Sequence, residues 1–594
     1  MKHAISKTCI AILASLLPAV SCNVLEKAPG SDVTEDTIFS TKKNFESYLF
    51  GTYAFGLHSI YPYNSNRSET NNGRNPNPIM FITSAITDES EAAATFMPSQ
   101  QWNSAAITKG SIVSQEDGRW TLRWEAIRRA NTIIERIPLT SFTAAEKKNY
   151  LGEALFIRAL NNFELFKRYG GMPIIDKKLG MTDNWNIPRA SVEDFVDFIV
   201  KDCDDAAGYL DGVVYQENQR GRITKSACLA LKAKTLLYAA SPLFNTANPY
   251  LATDHPELVC YGNEKASRWA EAAEAARKAL AACAADGFSI LDNDDPENDY
   301  RKLWEVADNQ EIILAEKFNN ARQGAWQFPW TVLLPYGYSY IGQIWGGAGV
   351  CVTHNFIAKY EKMDGTRPAW KPVGVQGDDI MEIYASLDPR FRQTVVYNGS
   401  AWNNDFTDSQ LYDGATGTAP SAVCNLTGAL MHKTIPRSLG ENGYSYAAPN
   451  GILFRVGELY LDLAEAVNES EGPTEEVYGA ISVIRNRAGM PDFPAGLSKD
   501  EMRDRIKNER DIELSFEDHR LWDIRRWMDA EKDGVMKGPI YREKLKYVSG
   551  GGLTQKCTYT IEVLENRSFN RNMYLHPITE NEANKGYLIQ NPGW

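Results

Sequence analysis

Residues 143–171, TAAEKKNYLGEALFIRALNNFELFKRYGG, carry the clearest fold signal in this 594-residue chain. Thr143 and Glu146 have the spacing of a capping box, in which each side chain bonds the other residue's backbone N–H at a helix start. A pair of glycines at the end of the stretch is typical of helix termination. The pattern therefore predicts one long helix from Thr143 to about Tyr169.

Further helices are predicted on both sides of this one. Apolar residues recur there at intervals of three and four, and small residues lie along the apolar stripes. The predicted helices cover residues 119–137, 223–240, 264–285, 451–468, 474–488 and 498–517, together with one that Ser191 and Asp194 cap. Paired helices with small residues at their contacts favour a tetratricopeptide-like stack, although no strict repeat is visible.

The middle of the chain has a different composition. Residues 288–450 are rich in Gly, Pro, Asn and aromatic residues and show little helical periodicity, which indicates loops, short strands and small helices. The predicted fold class is therefore mainly α, a tetratricopeptide-like core of helix pairs with a loop-rich insertion. We expect one domain over residues 22–594, with helical blocks at about 35–287 and 451–530, the insertion at 288–450 and an irregular tail at 540–594.

The N-terminus has the pattern of a secretory signal. Two lysines precede a short apolar run, and small residues stand just before Cys22. The run is too short to cross a bilayer, and a cysteine at this place is typical of bacterial lipoproteins. We predict a lipoprotein signal peptide over residues 1–21 and a lipid on Cys22, with ordinary secretion and an incidental Cys22 as the alternative.

Charge and cysteine content exclude several classes of protein. Lys+Arg number 63 against 76 Asp+Glu, a net charge of −13, which argues against a general nucleic-acid binder. No C-x-x-C motif occurs, so no zinc site is indicated, and most cysteines are expected to be buried with their disulfide state open. After the signal peptide and Cys22, seven cysteines remain, at positions 203, 228, 260, 283, 351, 424 and 557.

The sequence pattern that would best fit an enzyme is a set of three glutamates, Glu509, Glu513 and Glu517. Their spacing of four places them on one helical face, and two close carboxylates would suit a retaining glycosidase. Several arginines lie in the same segment, so we predict a structural ion-paired helix and no catalysis.

Residues 291–299, LDNDDPEND, contain enough acidic side chains to suggest a calcium site. They lack the features of an EF-hand loop, so a solvated acidic turn is predicted. No motif calls for a cofactor or metal.

Aromatic residues are concentrated in one stretch of the insertion. Residues 326–345, WQFPWTVLLPYGYSYIGQIW, combine many rings with prolines and glycine, which disfavours a regular core element. A second candidate, Trp102 with Asn103, is predicted in a polar loop. Aromatic rings can stack on the C–H faces of sugars, but core packing or an interface would explain them too. The candidate ligand-binding residues are Trp102, Asn103, Trp326, Trp330, Tyr336, Tyr338, Tyr340 and Trp345.

A series of motifs, in order along nearly the whole mature chain, resembles the SusD/RagB-like outer-membrane lipoproteins of Bacteroidetes. The most specific stretch lies within residues 455–527. One departure is Asp518, where that family often has Gly. The motifs are GEALFIRALNNFELFKRYGGMPII (152–175), GRITKSACLALKAKTLLYAASPLFN (221–245), KMDGT (362–366), DPRF (388–391), RVGELYLDLAEAVNE (455–469), IRNRAGMP (484–491), NERDIELSFEDHRLWDIRRW (508–527) and QNPGW (590–594).

The resemblance implies a tetratricopeptide-like α core and a nutrient-binding lid on a SusC-like TonB-dependent transporter, without catalysis. It thus predicts a cell-surface lipoprotein of polysaccharide utilisation, held in the outer membrane by acylated Cys22. This protein would capture oligosaccharides and deliver them to the transporter. Capture of peptides by the same transporter system is the alternative. Ligand sites in that family vary in position, so the resemblance does not assign individual binding residues here.

Overall fold

The computed structural model describes most of the chain beyond the N-terminal segment. Residues 1–33, with the predicted signal peptide and Cys22, lie outside the described residues. The described residues are 34–58, 82–92, 98–112, 116, 118–317, 350–401, 407–415, 426–434, 437 and 450–594.

Helices dominate the described structure and stack largely in chain order. The long helices α5 to α9 each pack against the next, and α9 then packs against α14, which contacts α15 and α16. The N-terminal half holds α1 (Glu35–Phe39), α2 (Lys42–Gly56), α3 (Ile82–Ala85), α4 (Ser99–Asn103), α5 (Trp120–Arg136), α6 (Ala144–Tyr169), α7 (Val192–Tyr209), α8 (Lys225–Ala240) and α9 (Ser267–Ala285). The C-terminal half holds α14 (Val456–Glu471), α15 (Glu475–Arg487), α16 (Lys499–Glu513), α17 (Arg520–Arg526) and α18 (Glu580–Ala583).

The predicted helix caps are present. Thr143 and Glu146 form a capping box at the start of α6, and Ser498 and Glu501 form another at the start of α16. The Ser191 hydroxyl accepts from the backbone N–H of Asp194 over 3.0 Å at the start of α7. These contacts satisfy N–H groups that lack an intrahelical acceptor, so local sequence specifies where these three helices begin.

The insertion between α9 and α14 contains short strands and short helices, as predicted. Strand β1 lies before it in the chain but joins its main sheet, whose order is β1-β3-β6-β5, while β2 pairs separately with β7. The elements are β1 (Ser90–Ala92), α10 (Asp299–Glu305), β2 (Ile312–Lys317), β3 (Val350–Val352), α11 (His354–Ile357), β4 (Gln376–Gly377), α12 (Ile380–Ser386), α13 (Pro389–Thr394), β5 (Val395–Val396), β6 (Leu430–Met431) and β7 (Asn450–Arg455).

Two predicted boundaries around the insertion were wrong. Residues 451–455 belong to β7, because Ile452 pairs with Ala315 and Arg455 pairs with Ile312 in β2, so α14 begins only at Val456. Helix α16 ends at Glu513 and does not reach Glu517. Phe516 and Asp518 have φ angles of 59° and 63°, a left-handed backbone that a helix cannot continue through.

The predicted irregular tail was also wrong in its first part. Strands β8 (Gly538–Ser549) and β9 (Lys556–Arg567) form a long antiparallel hairpin, and β4 adds to its edge as a third strand. Along β8, Ile540, Glu543 and Leu545 are buried, while Lys544 and Lys546, which alternate with the last two, are exposed; the register shifts after Ile540. Period-two alternation of this kind indicates a strand with one buried face.

The fold class predicted from the sequence, mainly α with a strand-containing insertion, is therefore confirmed. One large apolar cluster runs through α5 to α9 and α14 to α17, and a second lies under the strands of the insertion and the β8–β9 hairpin. Over the described ranges, none of the helices is both long and apolar enough to cross a bilayer.

Candidate ligand-binding region and its buried support

The aromatic segment predicted to bind ligand is attached to two strands of the insertion. Trp326, Trp330, Tyr336, Tyr338, Tyr340 and Trp345 lie outside the described residues. The segment leaves the described fold at Lys317, which pairs with Asn450, and returns at Val350, which pairs with Ala92. Its two attachment points are therefore both held by backbone pairing within antiparallel strands.

Trp102 is not on an open loop, so this part of the prediction needs correction. It lies in α4, and its side chain is 1% exposed. The Arg525 guanidinium lies 5.1 Å from the Trp102 ring centroid, and the His576 ring lies 5.2 Å away. Since the ring is enclosed by protein, it offers no face for a sugar, and Trp102 is a core residue in this structure.

Asn103 is likewise occupied by the protein itself. Its side-chain Nδ2 donates to the Ala85 carbonyl over 3.1 Å and lies 3.4 Å from Glu565 Oε1, and its backbone carbonyl accepts from Ser568 N. The residue is buried. Asn103 therefore ties α4 to the end of β9 instead of facing a ligand.

The carboxylates of Glu509, Glu513 and Glu517 are buried and paired with cations. Glu509 lies 2.7 Å from Arg390 and 2.8 Å from Arg485, and Glu517 lies 2.5 Å from the Lys433 ammonium. Each carboxylate is therefore in a buried ion pair. A glycosidase needs carboxylates that can reach a substrate, so this segment is structural, as predicted.

Glu513 is the centre of the same network. Its carboxylate lies 2.8 Å from Arg455 Nη1 and 3.0 Å from Arg390 Nη1, and it also pairs with Arg487. Burial alone would raise the pKa of the Glu513 carboxyl, but Arg487, Arg455 and Arg390 bring it well below its usual range. A carboxylate held ionised in this way cannot serve as a general acid near neutral pH.

The acidic turn at residues 291–299 is organised by hydrogen bonds of its own. Asp299 accepts from the backbone N–H groups of Asn293 and Asp295 and lies 2.8 Å from the Lys302 ammonium. Over the part of the chain that the structure describes, no group of three or more His, Cys, Asp or Glu side chains is arranged to hold a metal ion.

The cysteines fit the prediction of buried apolar residues where they are described. Cys203, Cys228, Cys260, Cys283, Cys351 and Cys557 are all buried. Cys424 lies outside the described residues.

Two protein families match parts of the chain, and solved structures share its fold. The family described as the SusD family matches residues 310–594, and the one described as starch-binding and associating with the outer membrane matches residues 25–237. The chain belongs to the SusD/RagB family. This assignment confirms the resemblance seen in the sequence motifs, and it places the chain among SusD-like proteins of carbohydrate binding and polysaccharide utilisation.

Individual SusD-like relatives cover nearly the whole chain. SusD-like protein P38 of Formosa agariphila is 25% identical over 559 residues, which are 89% of this chain and 92% of the relative. A crystal structure of a SusD-like protein of Bacteroides fragilis has a TM-score of 0.76 at 25% identity and covers 96% of this chain and 100% of its own. A laminarin-binding SusD-like protein shares the fold at a TM-score of 0.59 and 18% identity, covering 94% of this chain and 100% of its own.

The sequence did not predict the buried contacts next to the two attachment points of the aromatic segment. Glu91 in β1 accepts from Gln100 Nε2 over 2.5 Å and is also paired with Arg567 at the end of β9. Its burial raises the pKa of this carboxyl to about 8, although Arg567 opposes the shift. Glu91 and Arg567 are 476 positions apart, so no local pattern joins them.

Proposed function

We propose that this SusD-like protein captures oligosaccharides at the cell surface and passes them, unaltered, to a SusC-like TonB-dependent transporter. Membership of a family of carbohydrate-binding, outer-membrane-associated proteins is the observation that carries the proposal. The pairing of Glu509, Glu513 and Glu517 with buried cations supports a role without catalysis. The laminarin-binding neighbour supports a glycan as the ligand class.

The binding platform we propose is the aromatic run at residues 326–345. A sugar ring that covers ~100 Å² of aromatic surface gains about 2.5 kcal/mol, and two or three such contacts must offset the cost of ordering ligand and protein. The result is an affinity in the micromolar to millimolar range. Weak capture of this kind suits a protein that must release its cargo.

The place of action we propose is the outer face of the outer membrane. Cys22 would carry the lipid, and the transporter would lie beneath the bound glycan. The family description of outer-membrane association supports this location. A lipid-bearing N-terminus needs more than one acyl chain for stable anchoring, which triacylation of Cys22 would provide.

The experiment is isothermal calorimetry with a panel of glycans that includes maltooligosaccharides and laminarioligosaccharides. We expect at least one glycan to bind, and Trp330→Ala or Trp345→Ala to weaken it roughly 10- to 100-fold, the loss of one stacked ring. Trp185→Ala removes an indole elsewhere on the surface and should leave the affinity unchanged. Binding of peptides but not glycans would overturn the glycan proposal, and unchanged affinity in both platform variants would reject the platform.

A further inference from the structure

An exposed loop that carries two large apolar side chains lies between α6 and α7. Residues 180–186 read GMTDNWN, and all but Asp183 are exposed to solvent. Met181 is 99% exposed and Trp185 is 52% exposed. A single exposed apolar residue needs no explanation, but here a methionine and a tryptophan share one short turn.

Hydrogen bonds hold this loop in one conformation. The Trp185 indole N–H donates to the Gly180 carbonyl over 3.0 Å, and the Gly180 backbone N–H donates to Asp183 over 2.6 Å. Lys177 lies 3.3 Å from the same aspartate and balances its charge. Several polar groups of the loop around Met181 therefore already have hydrogen-bond partners within the protein. This lowers the free-energy cost of moving the loop out of water.

The loop is fixed to the polar side of α5. Arg128 donates to the Leu179 carbonyl over 2.8 Å, and its guanidinium lies 5.8 Å from the Trp185 ring centroid. Asn131 donates to the carbonyls of Ile175 and Lys177. These contacts attach the segment 175–186 to α5.

The start of the described chain lies against the same segment. Glu35 in α1 pairs with Lys178, and its neighbour Asp36 pairs with Arg136 in α5. Met181 follows Lys178 by three residues, so their Cα atoms are at most about 11 Å apart. The chain that leads to the proposed lipid on Cys22 thus begins beside the exposed loop.

The length of this leader limits how far the loop can lie from the membrane. Thr34, the first described residue, follows Cys22 by twelve positions, a distance of at most about 43 Å along a fully extended chain. Tryptophan is enriched at the boundary between water and lipid headgroups. Methionine is apolar and flexible enough to enter among acyl chains.

We propose that residues 180–186 are a membrane-contact loop, in which Met181 enters the bilayer that holds the Cys22 lipid and Trp185 lies at the headgroup level. The inference rests on the lipid anchor of the proposed function. It assigns the loop to a lipid surface rather than to a sugar, because the most exposed side chain is purely apolar and because the leader to Cys22 starts beside it.

The test places an environment-sensitive fluorophore at position 181 of the lipidated, full-length protein. Met181→Cys is made in a Cys424→Ser background, since the six other described cysteines are buried. The matched control is Leu553→Cys, an apolar side chain that is 65% exposed in the turn of the β8–β9 hairpin. Both proteins are reconstituted with vesicles of phosphatidylethanolamine and phosphatidylglycerol that carry nitroxide lipids, and flotation confirms that each is bound.

We expect the label at position 181 to shift its emission to the blue and to be quenched several-fold more strongly than the label at position 553. Protein that floats with the vesicles while both labels report water, or while both are quenched equally, would overturn the loop's role and leave the anchor intact. Protein that does not float would overturn the anchor and this inference with it. A response of the 181 label to laminarin without vesicles would assign the loop to a sugar instead.

Discussion

Arg455 Nη1 lies 2.8 Å from Glu513 Oε1, and both side chains are buried. Arg455 is the last residue of β7, and Glu513 is the last residue of α16. The pair therefore joins the end of the loop-rich insertion to the helical stack. An ion pair at this depth stabilises the fold only if every charge in the network keeps a partner.

Replacing Glu513 by Gln should destabilise the protein strongly. The variant leaves Arg390, Arg455 and Arg487 buried around a neutral amide, and breaking a buried pair of this kind costs about 3–5 kcal/mol. Urea unfolding followed by circular dichroism would measure the loss. Asp205→Asn is the matched control, because the Lys201–Asp205 pair is largely exposed and is worth less than about 1 kcal/mol. A Glu513→Gln loss as small as the control's would contradict the structural role of the network.

The stability of the protein should depend on the protonation of Glu89. Burial raises the pKa of this carboxyl to about 8, while the N–H of Phe516 and the Arg520 guanidinium oppose the shift. The folded state therefore holds a proton that the unfolded state releases near pH 4 to 5. Stability from this group is complete at low pH and is lost as the pH rises towards 8.

Glu89→Gln removes this dependence, because the amide stays neutral at every pH. We expect the variant to gain stability over the natural protein between pH ~5 and pH ~8, as measured by thermal unfolding at both values. Glu217→Gln, at a highly exposed carboxylate, should show the same difference from the natural protein at both pH values. A pH-independent difference for Glu89→Gln would show that Glu89 is ionised in the folded protein.

Trp102 should matter for stability rather than for ligand binding. Trp102→Ala leaves a cavity in the main core and should cost about 3–5 kcal/mol of unfolding free energy. Trp102→Phe keeps most of the ring volume, and the indole N–H of Trp102 has no hydrogen-bond acceptor among the described residues, so this variant should cost much less. Urea unfolding and glycan calorimetry on both variants check this. A fully stable Trp102→Ala protein with weakened glycan binding would restore Trp102 as a platform.

The described cysteines should resist thiol reagents in the folded protein. Burial raises the pKa of the Cys557 thiol to about 11 and that of the Cys283 thiol to about 12, so little reactive thiolate forms near neutral pH. Labelling followed by mass spectrometry, with and without urea, should show these two thiols reacting only after unfolding. Rapid reaction of either thiol in the native protein would contradict their placement in the core.

The sequence predicts the helices well because their signals are local. The capping boxes at Thr143 and Ser498 specify the starts of α6 and α16, and helical spacing of apolar residues specifies which face is buried. The start of α14 was predicted five residues early, because a short apolar run such as 451–455 fits either a helix or a strand. Pairing with β2, more than a hundred residues away, decides in favour of the strand.

The buried contacts near the candidate site could not be predicted, because the residues that form them are far apart in the sequence. Trp102 looked like a loop residue, since nothing near it reveals that Arg525 and His576 enclose its ring. The pairing of Glu509, Glu513 and Glu517, by contrast, could be predicted, because arginines lie close to them in the sequence. The network also contains Arg390 and Arg455, which lie outside that segment.

If the proposed function is right, the protein holds a glycan and releases it unchanged. The most direct test incubates the lipidated protein with each glycan that binds in calorimetry, and then analyses the recovered glycan by mass spectrometry. We expect saturable binding in the micromolar to millimolar range, with the chain length of the glycan unaltered. Shortened products that increase with protein concentration, or no binding across the panel, would contradict it.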